Sequence, residues 1–382
     1  MPVVTKSGAR TQIPALTGIR AVAAFLVYFH HWTPLNLLQY PLLHPLISVL
    51  QQGHVGVEVF FVLSGFVITY QYYDGCRFTA SWLSRYFINR FARIYPLYFL
   101  LTLAAFCLPD AFYGPHWNNP MEVITNFSLT KGLFSDYLTT GIPQAWSLTT
   151  EECFYFSAPL LFFFLRNKSA WVPLISLPVI GLIVMKLNPV GSSFMKDTQL
   201  IFCYTFFGRI LEFLLGMLLA QRYLSGRLKM ITKRKFPIRT ATGGLGFICC
   251  CLLGAMISDN SSIVPLDWLR EPFGPYTVIT YVVFMLIMPF FLVTLYAGLI
   301  SENTSLKRFL GSKVMVLLGR SSYAFYLLHF GVAMRYIRFW VGYEQITVFL
   351  STILISILVF KFVEEPLSRR IRAGLGAFSS QY

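Results

Sequence analysis

Ionisable side chains interrupt the apolar stretches of this chain at few places: Arg20, His30, His31, Glu58, Glu151, Glu152, Arg209, Glu212, Arg320 and His329. A charge in the middle of a bilayer costs roughly 2.5–3.5 kcal/mol on insertion scales, so each is a candidate for chemistry. One histidine with carboxylates at the same depth has the composition of a general-base site, because a carboxylate orients the imidazole and raises its basicity. His31, Glu58, Glu151 and Glu152 are expected at one depth and are the catalytic candidates. Arg85, Arg90 and Arg93, with Arg20 and Arg320, are expected at the opposite, cytoplasmic level. Guanidinium groups match phosphate bidentately, so this cluster suits a polyphosphorylated ligand entering from the cytosol, or lipid headgroups.

Spacing refines several of these. Arg20 and His31 are eleven residues apart, which on a helix ends about 20° past three full turns and about 16 Å along the axis, so they share a face. His30 falls off that line, and Arg20 near a helix end can also snorkel. Glu58 needs a cationic or hydrogen-bonded partner, and His31 is the one expected at its depth. Ser64 reads as bonding within its own helix rather than as a nucleophile. Thr149 with Glu152 three residues on has the form of a capping box, which Glu151 has not. Arg209 and Glu212 suit a local ion pair. Ser322, Tyr326 and His329 share a face and suit hydrogen bonds between helices.

The elements that must carry these residues are membrane helices. Apolar residues make up 56% of the 382 positions and charged ones 12%, against roughly 45–50% and about 25% in soluble domains. So few charges do not cover a soluble surface. Windows at 15–32, 54–73, 94–113, 146–165, 169–186, 203–222, 241–258, 276–298, 314–334 and 345–363 are each long enough to span ~30 Å of hydrocarbon. The net charge of +15 then concerns orientation rather than nucleic acid. With the N-terminus inside, 22 of the 31 Lys and Arg fall on the cytoplasmic side, 6 outside and 3 within spans, as the positive-inside rule requires. The expected fold is all-α, a polytopic integral membrane protein of about ten transmembrane helices with both termini cytoplasmic. Residues 1–14 form a cytoplasmic segment, 15–366 the transmembrane domain and 367–382 a basic cytoplasmic tail. The first run lacks a small-residue cleavage site and reads as an uncleaved span. The seven Cys make no CxxC or Cys/His pattern, and no metal is expected.

Several strings resemble one family. Ile13-Pro-Ala-Leu-Thr-Gly-Ile-Arg20 followed by His31 is similar to the opening motif of the membrane acyltransferase-3 family. Gly56-Val-Glu-Val-Phe-Phe-Val-Leu-Ser-Gly-Phe-Val-Ile-Thr69 resembles its second signature, with Glu58 where Asp is common. Asn89-Arg-Phe-Ala-Arg93-Ile-Tyr95-Pro96 looks like its Arg-x-x-Arg-Ile-Tyr-Pro string, and Trp146-Ser-Leu-Thr-Thr-Glu-Glu-Cys-Phe-Tyr155 like its fourth, with Cys153 in place of Gln. Arg209-Ile-Leu-Glu212, Leu318-Gly-Arg320 through His329, and Phe362-Val-Glu-Glu-Pro366 complete an ordered set.

The resemblance implies an O-acyltransferase, most often an O-acetyltransferase. It would move an acyl group from cytosolic acetyl-CoA across the cell inner (plasma) membrane to a hydroxyl of an extracytoplasmic or lipid-linked glycan, such as an envelope polysaccharide or lipopolysaccharide. Arg20, Arg90, Arg93, Tyr95 and Arg320 would hold the acetyl-CoA. His31 would act as general base or transient acyl carrier with Glu58, Glu151 and Glu152. Ser64, Trp146, Arg209, Glu212, Tyr326 and His329 would be substrate-binding or structural polar groups. Larger members add an extracytoplasmic hydrolase-type domain; with sixteen residues following Pro366 here, direct transfer to the acceptor is expected, the alternative being hand-over to a separate protein. Membrane lipids and the glycan acceptor are the expected partners, with no nucleic acid. The competing class is a proton-coupled secondary transporter using the same buried charges as a relay, although no internal repeat favours the inverted-repeat folds.

Overall fold

The computed structural model describes residues 10–34, 39–108, 117–189, 191–228, 237–259 and 278–375. Lys6, the basic run at 229–236, Arg270 and the tail from 376 onward lie outside the described residues. The described residues are helical with no strand; their helices are α1 (Pro14–His31), α2 (His44–Gln51), α3 (Gly56–Tyr72), α4 (Ala80–Cys107), α5 (Pro120–Phe127), α6 (Trp146–Arg166), α7 (Trp171–Leu187) and α8 (Phe206–Leu224). These continue with α9 (Ile238–Asp259), α10 (Met288–Ser301), α11 (Ser305–Leu310), α12 (Lys313–Arg320), α13 (Ser322–Leu328), α14 (Val332–Val341), α15 (Gln345–Val359) and α16 (Glu365–Gly374). π-helical turns at Leu200–Tyr204, Val282–Ile287 and Phe360–Glu364 adjoin α8, α10 and the α15–α16 junction.

Helices suit an apolar solvent because every backbone polar group is satisfied within the segment. Among the described residues six are long and apolar enough to cross a membrane: Gly53–Tyr72, Ala80–Cys107, Leu200–Leu224, Ile238–Ile257, Ile279–Ser301 and Gln345–Gly374. They mark a multi-pass membrane protein. The windows at 15–32 and 146–165 are continuous helices that carry polar and ionisable residues, and the one at 169–186 is a shorter apolar helix of 17 residues.

Two windows change shape. The third was placed at 94–113, but α4 begins at Ala80, where Thr79 Oγ1 accepts from the Trp82 amide. Arg85, Arg90 and Arg93 are therefore helical residues, not loop residues. Arg90 stands about 15 Å and Arg93 about 20 Å along the axis from Ala80. The ninth window, 314–334, is broken into α12, α13 and the start of α14, with Gly331 at φ +75° turning the chain after His329. A Cβ there would be strained and would meet Pro143 at 2.7 Å.

The chain divides into two compact units, one of Gln12–Tyr70 with Gly208–Gly319 and one of Gln71–Phe207 with Arg320–Tyr382. In the first unit α3 and α8 cross almost backbone to backbone. A Cβ on Gly65 would sit 2.1 Å from the Phe213 carbonyl oxygen, and one on Gly216 would sit 2.0 Å from that of Val62. Tyr296 donates to the Val59 carbonyl at 2.7 Å and ties α10 to α3.

In the second unit the loop before α6 is built around a buried lysine. Lys131 is fully buried, and its Nζ donates to the Ile142 carbonyl at 2.6 Å and to that of Thr140. The next residues dock on α13, where Gln144 Nε2 donates to the Tyr326 and Leu327 carbonyls at 2.9 and 3.0 Å. Burial pushes the Lys131 ammonium down to about 7, against the opposing pull of Glu122. An unfolded lysine keeps its proton up to its ordinary value of 10.5, so folding releases a proton between these values and the loop gains stability as pH rises through them. Below about 7 both states are protonated and this dependence vanishes. Amide exchange across residues 126–145, corrected for intrinsic rates, is expected to slow between about pH 7 and about pH 9, and to lose that trend in Lys131→Met. An equal trend in the variant would assign it to another group.

Candidate active site

In the first unit α1 runs unbroken from Pro14 to His31, so the eleven-residue step does place Arg20 and His31 on one face, about 16 Å apart along the axis. Arg20 is half-buried and its Nε has no hydrogen-bond partner among the described residues. His31 is exposed at the C-terminal end, its ring 5.1 Å from that of His30. His30 is held elsewhere: Nδ1 lies 2.6 Å from the Gln51 carbonyl oxygen, and its ring stands 5.3 Å from that of His54.

Glu58 does not meet His31. Its cationic partner is Arg209, whose Nη2 lies 3.2 Å from Glu58 Oε1 and 2.9 Å from Glu212 Oε1. Arg209 Nε also donates to Glu212 Oε2 at 3.0 Å, and the guanidinium lies 5.0 Å from the centre of the Phe61 ring. The local Arg209–Glu212 pair is thus part of a triad whose side chains are 1–2% exposed. The close crossing at Gly65 and Gly216 brings α3 and α8 near enough to form it. Ser64 is half-buried on the same helix as Glu58.

The second unit gathers the other candidates. Arg90 is buried with its guanidinium 5.2 and 5.5 Å from the Tyr72 and Tyr155 ring centres, and it donates to the Tyr72 hydroxyl at 3.0 Å. Tyr155 donates to Glu151, while Glu152, half-buried, lies within electrostatic reach of Arg90 and Glu151. The sequence separated these arginines and acids by depth; the early start of α4 carries Arg90 inward beside α6. Arg93 pairs with Glu364 and lies 5.3 Å from the Tyr323 ring centre. Tyr95 is committed to the Phe127 carbonyl at 2.8 Å. Arg320 donates to Glu365 at 2.8 Å, and Arg85 is exposed.

The capping box does not form. A turn at Pro143–Ala145 leads directly into α6, which starts at Trp146 with no side-chain cap. Thr149 instead accepts from the Gly132 amide at 3.1 Å, which leaves Glu152 clear of the helix end. Trp146 packs edge-on to Tyr204 at 4.7 Å. Tyr326 hydroxyl lies 2.7 Å from Ser147 Oγ, and His329 Nδ1 lies 2.7 Å from the Tyr326 carbonyl oxygen. Both are buried. No cluster of His, Cys, Asp and Glu placed to hold a metal ion occurs among the described residues. Sequence reading passed over Tyr72 and Gln144, took Lys131 only as one of the outside charges, and gave Tyr155 and Tyr323 no role beyond their motifs. It quoted Glu364 and Glu365 only as part of a motif, although adjacent acids just after an apolar run were a signal for arginine partners.

Ionisable groups buried in helices that can cross a membrane define an integral membrane protein with polar chemistry inside its helical units. The chain belongs to the acyltransferase-3 family: the family model, described as an acyltransferase domain, matches residues 13–361. The chain is 24% identical over 404 residues to O-acetyltransferase OatA of Staphylococcus aureus strain NCTC 8325, with 96% of this chain and 58% of that protein covered. It is 26% identical over 344 residues to acyltransferase MdmB of Streptomyces mycarofaciens, covering 84% of this chain and 79% of that protein. It therefore spans little more than half the length of the staphylococcal relative. No solved structure matches it.

Proposed function

We propose that the protein is an O-acetyltransferase that takes acetyl from cytosolic acetyl-CoA and delivers it, across the plasma membrane, to a hydroxyl of an extracytoplasmic or lipid-linked glycan. The observation that carries this reading is the unbroken α1, with a guanidinium and an accessible imidazole on one face at two depths. The names of the relatives, O-acetyltransferase and acyltransferase, support it. In this reading both termini face the cytosol, because the segments at 15–32, 146–165, 169–186 and 314–334 cross as well as the six long helices.

Arg20 anchors a phosphate of the donor, and the extended pantetheine arm covers the distance to the outer end of α1. His31 then takes the proton of the acceptor hydroxyl as its oxygen attacks the acetyl carbonyl, the thiolate leaves and the proton returns to sulfur. Glu58 acts through Arg209, fixing α3 against α8, rather than through His31. Glu151 and Glu152 serve the acid–base chemistry of the second unit, with Arg90 balancing their charge.

Purified protein in liposomes, given labelled acetyl-CoA on one face and an oligosaccharide on the other, is expected to consume donor and label the sugar. Solute flux independent of donor, with no label transferred, would sink the proposal in favour of a proton-coupled transporter.

A further inference from the structure

Two adjacent glutamates on the C-terminal side of the chain hold two arginines in different ways. Glu364 and Arg93 are a closed pair, with side chains 3% and 11% exposed, and removing either leaves a buried charge. Glu365 is instead shared. Its Oε1 accepts from Arg320 at 2.8 Å while its Oε2 lies 3.1 Å from Nη2 of Arg369, four residues on along α16. The Glu365 and Arg320 side chains are 22% and 31% exposed, and Arg369 is 69% exposed. Such a pair is weak enough to exchange.

Each member keeps a second support when the pair opens. Arg320 rests over the Phe360 ring at 5.2 Å, which holds the guanidinium in place without the carboxylate. Glu365 keeps Arg369 in the favourable order, acid N-terminal to base by four residues. A phosphate monoester carries about −1.5 to −2 charge against −1 for a carboxylate and offers three acceptor oxygens, so it outcompetes Glu365 for a fork-shaped donor.

We propose that Arg320 is an anion-exchange site: a phosphate group of the incoming ligand replaces Glu365 on Arg320, and the displaced carboxylate is retained by Arg369. This rests on the acyl-CoA reading for the ligand, in which the phosphates are those of coenzyme A. Glu365 is then a positioning residue that sets the affinity for phosphate without touching the ligand.

The test is calorimetric titration of the detergent-purified full chain with coenzyme A, pantetheine and inorganic pyrophosphate. Glu365→Gln is expected to tighten coenzyme A about two- to fivefold and Arg369→Gln to weaken it by a similar factor, because the carboxylate then has Arg320 alone. Pantetheine, which has no phosphate, is expected to bind all three proteins alike. Unchanged or weaker coenzyme A binding by a Glu365→Gln protein with wild-type thermal unfolding overturns the exchange. Equal shifts for pantetheine overturn it too. If wild type binds no coenzyme A, the acyl-CoA reading fails, and pyrophosphate decides the exchange alone: tighter binding in Glu365→Gln supports it and no change refutes it. A change confined to phosphatidylglycerol retention in nanodiscs would assign Arg320 to a lipid headgroup and overturn the soluble ligand.

Discussion

Replacing His31 by alanine is expected to lower acetyl transfer by about 10²–10⁴-fold, the contribution of a positioned general base, with expression and thermal stability close to wild type. His31 is the last residue of α1 and is exposed, so truncating it opens no core cavity. His30→Ala supplies the contrast. That imidazole is exposed as well, but it meets the Gln51 carbonyl and stacks edge-on with His54, so its loss is expected to cost stability first and turnover second. Initial rates per folded protein in the liposome assay separate the two. Wild-type turnover by His31→Ala at equal reconstitution would remove the imidazole from the chemistry.

The α1 geometry was legible because it is local: residue spacing and 3.6-residue periodicity fix the face that Arg20 and His31 share. The apolar windows were legible for the same reason, and several match helices to within a few residues. Pairing was not. Glu58 meets Arg209 and Arg93 meets Glu364 across long stretches of chain, and no local pattern says which arginine a buried acid will find. The depth of Arg90 was missed because three arginines hid the first part of α4 from an apolar window, whereas in the fold Tyr72 and Tyr155 cover that guanidinium. Thr149 and Glu152 had the spacing of a capping box, but the turn at Pro143–Ala145 started the helix earlier and the pattern fell inside it. Local rules fail here where a neighbouring segment claims the same residues.

The Arg209 triad makes the largest stability prediction. Arg209→Met is expected to destabilise the first unit by about 3–5 kcal/mol, since it strands two carboxylates away from water without the one cation that pairs with them among the described residues. Arg209→Lys is expected to recover little. An ammonium is a point charge without the planar fork that reaches Glu58 and both oxygens of Glu212 at once. Neutralising the acids restores the balance. Adding Glu58→Gln and Glu212→Gln to Arg209→Met removes the buried charges, and the triple variant is expected to regain most of the lost stability while the single variant does not. Unfolding midpoints in detergent, followed by tryptophan fluorescence, give the comparison. If the single and triple variants unfolded at the same temperature, desolvated charge would not be the cause. The loss would then come from the packing of Arg209 against Phe61 and Met285, which all of these substitutions share.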